Sequence, residues 1–218
     1  MPTLYWNPIS QPSRAVRNFC QISGIEFEEK VLDLSKKEHK EEWYLKIHKF
    51  GQVPAWQEDD GNVYTESNSI LRFLANKHGK TDLWPEDLLA RQRVDAGLDF
   101  SGTTVRPGLL KPLVAIVVAP LFFGATAPDE ETKAELLKGG AETIGKIETW
   151  LAGKHFIGGD SLSLADLQVF NELMGYTGAF QPELPENVSA WWNRCLENEV
   201  LKKTFEEYQE LAKSLAGE

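Results

Sequence analysis

Apolar positions follow two regimes along this chain. Up to Gly79 they come in short runs broken by turn residues. Thr3 to Trp6 is a β-prone segment closed by Asn7-Pro8, a turn signal. Arg14 to Ser23 carries apolar residues at 15, 16, 19, 20 and 22, a helical stripe that stops at Gly24, a residue suited to a C-cap. Glu26 to Leu34 alternates in strand fashion, and Glu38 to Ile47 predicts a short amphipathic helix. Val53 to Gln57 and Val63 to Thr65 predict two strands, joined by the turn Glu58-Asp59-Asp60-Gly61-Asn62. Ser67 to Lys77 is then a helix with Ile70, Leu71, Phe73 and Leu74 facing inward.

That order, βαβαββα, joins a parallel pair through a helix and adds a hairpin and a closing helix. It predicts an α/β unit of thioredoxin-like type. Lys80 to Pro85 is polar and ends in proline, as a domain boundary does. From Glu86 onward the period is helical throughout, over 86–106, 109–122, 129–153, 163–175, 187–196 and 198–215. The expected organisation is therefore a thioredoxin-like domain at 1–80, a linker at 81–88 and an all-helical domain at 89–218. There is no internal repeat and no low-complexity tract.

Composition narrows the function classes. With 42% hydrophobic and 26% charged residues in 218, the chain has ordinary soluble-globular balance. A net charge of -10 argues against a nucleic-acid partner, because displacing counterions from phosphates needs clustered Lys and Arg. It disfavours an anionic membrane surface as well. Cys20 and Cys195 are too few and too far apart for a disulfide framework or a zinc site, which suits reduced thiols and a cytoplasmic setting. Met1-Pro2-Thr3 leads straight into a strand-like segment with no signal-peptide pattern. The apolar stretch Leu109 to Phe123 is interrupted by Lys111, Pro112 and Pro120, so it is expected to be too short to span a bilayer.

Several motifs then occur in a fixed order: SQPSRAV at 10–16, Asp33-Leu34 followed by His39 and GQVPA at 51–55, TESNSILRFL at 65–74, and SLADL with NELM within 163–174. Together they resemble the cytosolic glutathione transferases, the serine-type theta class above all, over nearly the whole chain. The resemblance implies a glutathione site in the first domain and a second-substrate site in the helical one. It implies conjugation of the glutathione thiolate to small hydrophobic electrophiles such as alkyl halides, epoxides, activated alkenes or peroxides, with glutathione peroxidase activity as an accessory. It further implies glutathione as co-substrate without another cofactor or metal, and a homodimer.

Ser10 is the residue on which the chemistry turns. A free thiol with a pKa near ~8.5 is a poor nucleophile, and lowering it by about 2 requires roughly 2.7 kcal/mol of differential stabilisation. A hydroxyl donating a charge-assisted hydrogen bond to sulfur supplies about 1.5–3 kcal/mol, helped by the positive end of a helix. Ser10 lies between the first strand and the first helix, where its hydroxyl is expected to reach such a sulfur. On the residue alone, Ser10 as a mere helix cap stays open. Ser13, nearer the helical stripe and replacing a cysteine common in the motif, is expected to be a structural cap. Tyr5 is the rival catalytic residue, since other classes use a tyrosine at the end of the first strand, and packing is expected for it.

The resemblance implies further roles. Val53-Pro54 is expected to be a cis peptide that leaves the Val53 amide and carbonyl free for the cysteinyl backbone of glutathione. Glu66-Ser67, at a strand-to-helix handover, is expected to hold the γ-glutamyl end, the carboxylate at the helix N-terminus and the ammonium on Glu66. His39 and Gln52 are implied to hold the glycine end, with His39 as a surface histidine on a charged helix between Lys37 and Lys40 equally open. Gln52 stands where theta members often carry lysine, so one positive charge is expected to be missing. Arg14 is expected to buttress the first helix. Arg106, in Thr103-Thr104-x-Arg106, is expected either near the second-substrate pocket or as a solvated helix-end arginine before Pro107, with Leu109 to Phe123 as pocket wall or core. Ser163-x-x-Asp166 has capping-box form and is expected to nucleate a buried helix without direct chemistry, and Trp191-Trp192 to pack.

With the chain ending at Glu218, a long C-terminal extension found in many theta members is missing, which predicts a more open second-substrate site. Two other classes of function compete. A thiol-disulfide reductase wants a cysteine at the head of the first helix, and Cys20 lies too far in. A non-catalytic binding or interaction module keeps the fold without the turnover.

Overall fold

The structure is a computed structural model that describes residues 1–216, so residues 217 and 218 of the expected helical domain lie outside the described residues. A four-stranded mixed sheet holds β1 (Thr3–Trp6), β2 (Glu28–Val31), β3 (Ala55–Gln57) and β4 (Val63–Tyr64) in the order β2-β1-β3-β4. β1 runs parallel to β2, with Thr3 opposite Glu28, and antiparallel to β3, with Thr3 opposite Gln57. β3 and β4 form the expected hairpin. The period of two along β1 sends Leu4 and Trp6 into the main core and Tyr5 into a smaller cluster with Leu32, Tyr44 and Ala55 on the opposite face. This is the thioredoxin-like arrangement, and the rest of the chain is helical.

Three boundaries differ from the sequence expectation for physical reasons. α1 (Gln11–Ile22) begins three residues before the apolar stripe, because its first turn buries Gln11, Ser13 and Arg14, polar side chains invisible to hydrophobic periodicity. β2 is a short, exposed edge strand, so its alternation carries little burial. The helix expected over 38–47 divides into a 3-10 turn at Glu38–Lys40 and α2 (Glu42–Leu45), since Glu41 between them is extended. α3 (Ser67–Lys77) spans the expected residues.

The two helices expected at 86–106 and 109–122 are one continuous run, α4 (Leu88–Phe100), α5 (Arg106–Leu113) and α6 (Ala119–Phe123), linked by π-helical stretches at Ser101–Val105 and Val114–Val118. A helical proline clashes with the carbonyl four residues earlier. For Pro107 and Pro120 those carbonyls belong to Thr103 and Ile116, inside the two widened stretches, which absorb the misfit without a break. The joined run is 36 residues, so the expectation that no segment reaches spanning length is corrected: by length and composition alone this helix is sufficient. Its apolarity has a local cause, because the run packs on α7 (Glu130–Leu151) and α8 (Leu164–Phe180) and walls a cavity.

α8 is the buried axis of the helical part, with every residue from Leu164 to Tyr176 buried. Its start is fixed by Asp166, whose carboxylate accepts from the Ser163 amide (2.9 Å) and hydroxyl (2.6 Å), the Ile157 amide (2.7 Å) and the Trp191 indole (2.8 Å). Burial pushes the Asp166 pKa up, and these four donors oppose it. Trp191 comes from α9 (Glu186–Leu196), and Trp192 stacks on Phe170 at 4.5 Å. α10 (Glu199–Ala216) returns along α1 and α8.

Candidate active site

One cavity of about 1230 Å³ opens between the sheet unit and the helices. It brings together Ser10, His39, Gln52, Val53, Pro54, Glu66, Ser67 and Arg106. Its floor is polar and its far wall, from α5 to α6, apolar.

Ser10 occupies the N-cap position of α1 in an extended conformation, yet its side chain makes no capping hydrogen bond. Its carbonyl accepts from the Arg14 amide at 3.1 Å and its own amide donates to the Asn7 carbonyl at 3.0 Å, so the backbone is fixed while the hydroxyl caps no helix amide. The expectation that Ser13 caps the helix is corrected. Ser13 lies within the first turn, fully buried, and its hydroxyl donates to Ser10 Oγ at 2.9 Å. Tyr5 faces away from the cavity, its hydroxyl donating to Gln57 Oε1 at 2.9 Å beside the Tyr44 ring, and burial raises its pKa.

The Val53-Pro54 peptide is cis. The chain ahead of it is held by Tyr44, whose hydroxyl donates to the Gln52 carbonyl at 2.6 Å. Glu66 has φ 65° and ψ 103°, a left-handed conformation for a residue with a Cβ. Such a residue costs about 1–3 kcal/mol and persists where surroundings over-determine it, commonly at ligand sites. Glu66 thereby hands the chain to Ser67, first residue of α3, with the helix N-terminus facing the cavity. Ser67 Oγ accepts from the amide of Gln168 on α8 at 2.9 Å.

At the other edge of the floor, His39 has a buried Nδ1 without a partner among the described residues. Burial lowers its pKa, as do Lys40 and Lys37. Lys40 also lines the cavity, its ammonium donating to the carbonyls of Phe50 and Gly51 at 2.8 Å each. It supplies a positive charge on the side where Gln52 offers none. His48, buried and stacked on Tyr44, lines the cavity too, and burial holds its pKa down against the raising effect of Glu66.

Arg106 is no solvated helix end. It sits inside the long helical run and donates from Nη1 to Glu172 Oε1 at 2.6 Å. Glu172 is 1% exposed and its Oε2 has no partner. Burial pushes its pKa up, while Arg106 and Arg14 pull it down. Arg14 points away from the cavity. Its guanidinium donates to Asn171 Oδ1 (3.1 Å), the Asn171 carbonyl (3.0 Å) and the Pro8 carbonyl (2.7 Å), and lies 4.4 Å from the Tyr208 ring centre. Burial pulls its pKa down to about 10, leaving it charged at neutral pH. Tyr208 and Ala212 of α10 close the cavity opposite the sheet.

Lys40, His48, Gln168 and Glu172 were not expected at the site. Lys40 ends the 3-10 turn Glu38–Lys40 and His48 follows α2, and the helical period expected there does not say that either faces the cavity. Gln168 and Glu172 did carry a signal, as polar positions on one face of an otherwise apolar helix.

A thioredoxin-like sheet fused to a helical unit, with a polar floor and an apolar wall sharing one cleft, defines a class of proteins able to bring a small polar compound against an apolar one. Residues 9–77 match the family model for the glutathione S-transferase N-terminal domain and residues 110–199 that for the C-terminal domain. The chain is 35% identical over 211 residues to glutathione S-transferase theta-1 of Mus musculus, and 34% identical over 215 residues to theta-1 of Homo sapiens. Each alignment spans 95% of this chain and 87% of the relative. Among solved structures it is similar to human glutathione S-transferase T1-1 in the apo form (TM-score 0.88, 32% identity, 97% of this chain and 89% of that one). It is also similar to the human theta-class enzyme in complex with the glutathione conjugate of 1-menaphthyl sulfate (TM-score 0.90, 28% identity, 99% and 90%). The chain belongs to the glutathione S-transferase family.

Proposed function

We propose that this chain is a glutathione S-transferase of theta type that joins the glutathione thiolate to small hydrophobic electrophiles, with Ser10 as the catalytic residue. The observation that carries the reading is the Ser10 hydroxyl at the N-terminus of α1, unused in capping and facing the cavity. There a thiol sulfur receives a hydrogen bond and the positive end of α1, both of which favour the charged form. The hydroxyl stabilises the nucleophile and is not itself consumed.

Glutathione lies with its cysteinyl backbone against Val53, whose amide and carbonyl have no hydrogen-bond partner among the described residues. Its γ-glutamyl carboxylate meets the α3 N-terminus at Ser67 and its ammonium meets Glu66. His39, Gln52 and Lys40 face the glycine carboxylate. Arg106 and the apolar side chains Leu110, Leu113, Val117 and Leu121 receive the electrophile. Glutathione enters as co-substrate. The division into 1–80, 81–88 and 89–218, a cytoplasmic location and a role in detoxification belong to the same reading. So does a homodimer, supported by the exposed side chains of Phe50, Leu88 and Leu89 and tested by sedimentation.

Ser10→Ala tests the assignment. Loss of a charge-assisted bond of about 1.5–3 kcal/mol lowers turnover at a pH below the bound thiol pKa by roughly 10–100-fold. Tyr5→Phe leaves it unchanged. If Ser10→Ala keeps full turnover, Ser10 is not the catalytic residue. Retention on immobilised glutathione without turnover of any electrophile in a panel points instead to a binding module.

A further inference from the structure

The buried Ser13 hydroxyl stands behind Ser10 with no other hydrogen-bond partner among the described residues. We propose that Ser13 is a positioning residue: its hydroxyl donates to Ser10 Oγ, fixes the Ser10 rotor, and so directs the Ser10 proton onto the thiolate of glutathione. The inference rests on Ser10 being the residue that meets the sulfur.

Two hydroxyls 2.9 Å apart share one proton along their axis, and either can be the donor. Burial decides which. Ser13 is 0% exposed, so its proton must find an acceptor inside the protein, and Ser10 Oγ is the one within reach. Ser10 faces the cavity, where its proton has water or a ligand to meet. The chemistry demands the same direction. A thiolate accepts hydrogen bonds and donates none, so a Ser10 proton turned back on Ser13 leaves the sulfur without its bond. The order Ser13 to Ser10 to sulfur is the arrangement that satisfies all three groups. A donor placed on an oxygen also makes that oxygen's own proton a better donor, which polarises the pair toward the anion.

Ser13 itself never touches glutathione in this scheme. It moves the thiol pKa and leaves glutathione affinity nearly alone. Cooperative strengthening of about 10–30% in the Ser10–sulfur bond, together with a freed rotor, corresponds to a rise of about 0.5 in thiol pKa. The thiolate fraction then falls about threefold at a pH below that value.

The test titrates the thiolate absorbance of glutathione bound to the full chain and to Ser13→Ala, Ser13→Cys and Ser10→Ala. Ser13→Cys fills the site with a larger atom that donates only weakly, so a shift shared with Ser13→Ala does not come from a cavity. Both Ser13 variants are expected to raise the thiol pKa by about 0.5, lower kcat about threefold below it, and recover above it, with KM for glutathione within about twofold. A Ser10→Ala shift combined with unmoved thiol pKa values in both Ser13 variants overturns the inference and leaves the catalytic assignment standing. An unmoved pKa in Ser10→Ala overturns the assignment of Ser10 itself.

Discussion

Replacing Arg106 with methionine should make the protein less stable, and increasingly so as the pH rises. Arg106 is the cation in contact with Glu172, a carboxyl with 1% exposure whose second oxygen already lacks a partner. Removing one member of a buried pair costs about 3–5 kcal/mol. Arg106 itself is 35% exposed, so solvent already screens part of its field, and the lower end of that range applies. A second limit comes from the proton. Once uncompensated, Glu172 stays protonated in the folded state, its pKa pushed further above the model-compound value of 4.5 by burial. Below 4.5 the folded and unfolded chains both carry the proton and the penalty vanishes. Above it the unfolded chain releases a proton that the folded chain keeps, at about 1.4 kcal/mol per pH unit until the folded pKa is reached. Burial already raises the Glu172 pKa in the parent, so part of this loss is common to both chains and the extra deficit of the variant stays below about 1.4 kcal/mol at pH 5.5 and below about 4 kcal/mol at pH 7.5. For a chain of this size that is about 2–4 °C of Tm per kcal/mol. Thermal melts of Arg106→Met and the parent at both pH values, with Glu172→Gln as a charge-free control of flat pH dependence, measure it. A deficit no larger at pH 7.5 than at pH 5.5 would refute the account of the pair.

Two further outcomes are expected. Gln168→Leu removes the donor that holds Ser67 Oγ, so KM for glutathione should rise about fivefold while kcat changes less than about twofold in steady-state kinetics. An unchanged KM would show that Ser67 needs no support from the helical part. His48 is held below its ordinary pKa of 6.5 in the folded chain, mainly by burial. Above 6.5 neither state carries the proton and stability is full; as the pH falls through 6.5 the unfolded chain takes it up first, and stability drops down to the folded pKa. Tm should therefore decline on acidification below about pH 6.5, and less steeply in His48→Gln; equal slopes would mean that His48 titrates alike in both states.

The strand and turn pattern of the first eighty residues was legible because burial there follows ordinary rules, with apolar residues inward and Asn-Pro or Asp-Gly marking turns. Ser10 and Glu66-Ser67 stood out because each sits where a strand passes to a helix, and Val53-Pro54 because it opens a strand within GQVPA. The start of α1 was hidden since Gln11, Ser13 and Arg14 are buried despite their polarity. Ser13 lies nearer the apolar stripe and reads as a cap for that reason, although the N-cap is fixed by backbone dihedrals and belongs to Ser10. The joining of α4, α5 and α6 was hidden because Pro107 ordinarily ends a helix, and the widened stretch that accommodates it leaves no mark in composition. Lys40 and His48 share a cavity with Ser10 through chain folding alone.

The helix that sequence reasoning treated as inert scaffold is what ties these parts together. Gln168, Asn171 and Glu172 fall at i, i+3 and i+4 on α8, hence on one face. Each holds a different element of the site: Gln168 the Ser67 hydroxyl at the head of α3, Asn171 the Arg14 guanidinium in the first turn of α1, and Glu172 the Arg106 guanidinium on the long helix. Three polar side chains buried in an apolar helix are costly unless each is satisfied. Here Gln168 and Asn171 are satisfied by contacts across the junction between sheet unit and helices, and Glu172 through one oxygen by Arg106, and each contact fixes a cavity element. A shift of α8 by one residue would break all three bonds together. Asp166, two residues before Gln168, prevents that shift by anchoring the helix start with four hydrogen bonds. The capping box therefore acts on the cavity at a distance, by setting the register of the helix that holds Ser67, Arg14 and Arg106.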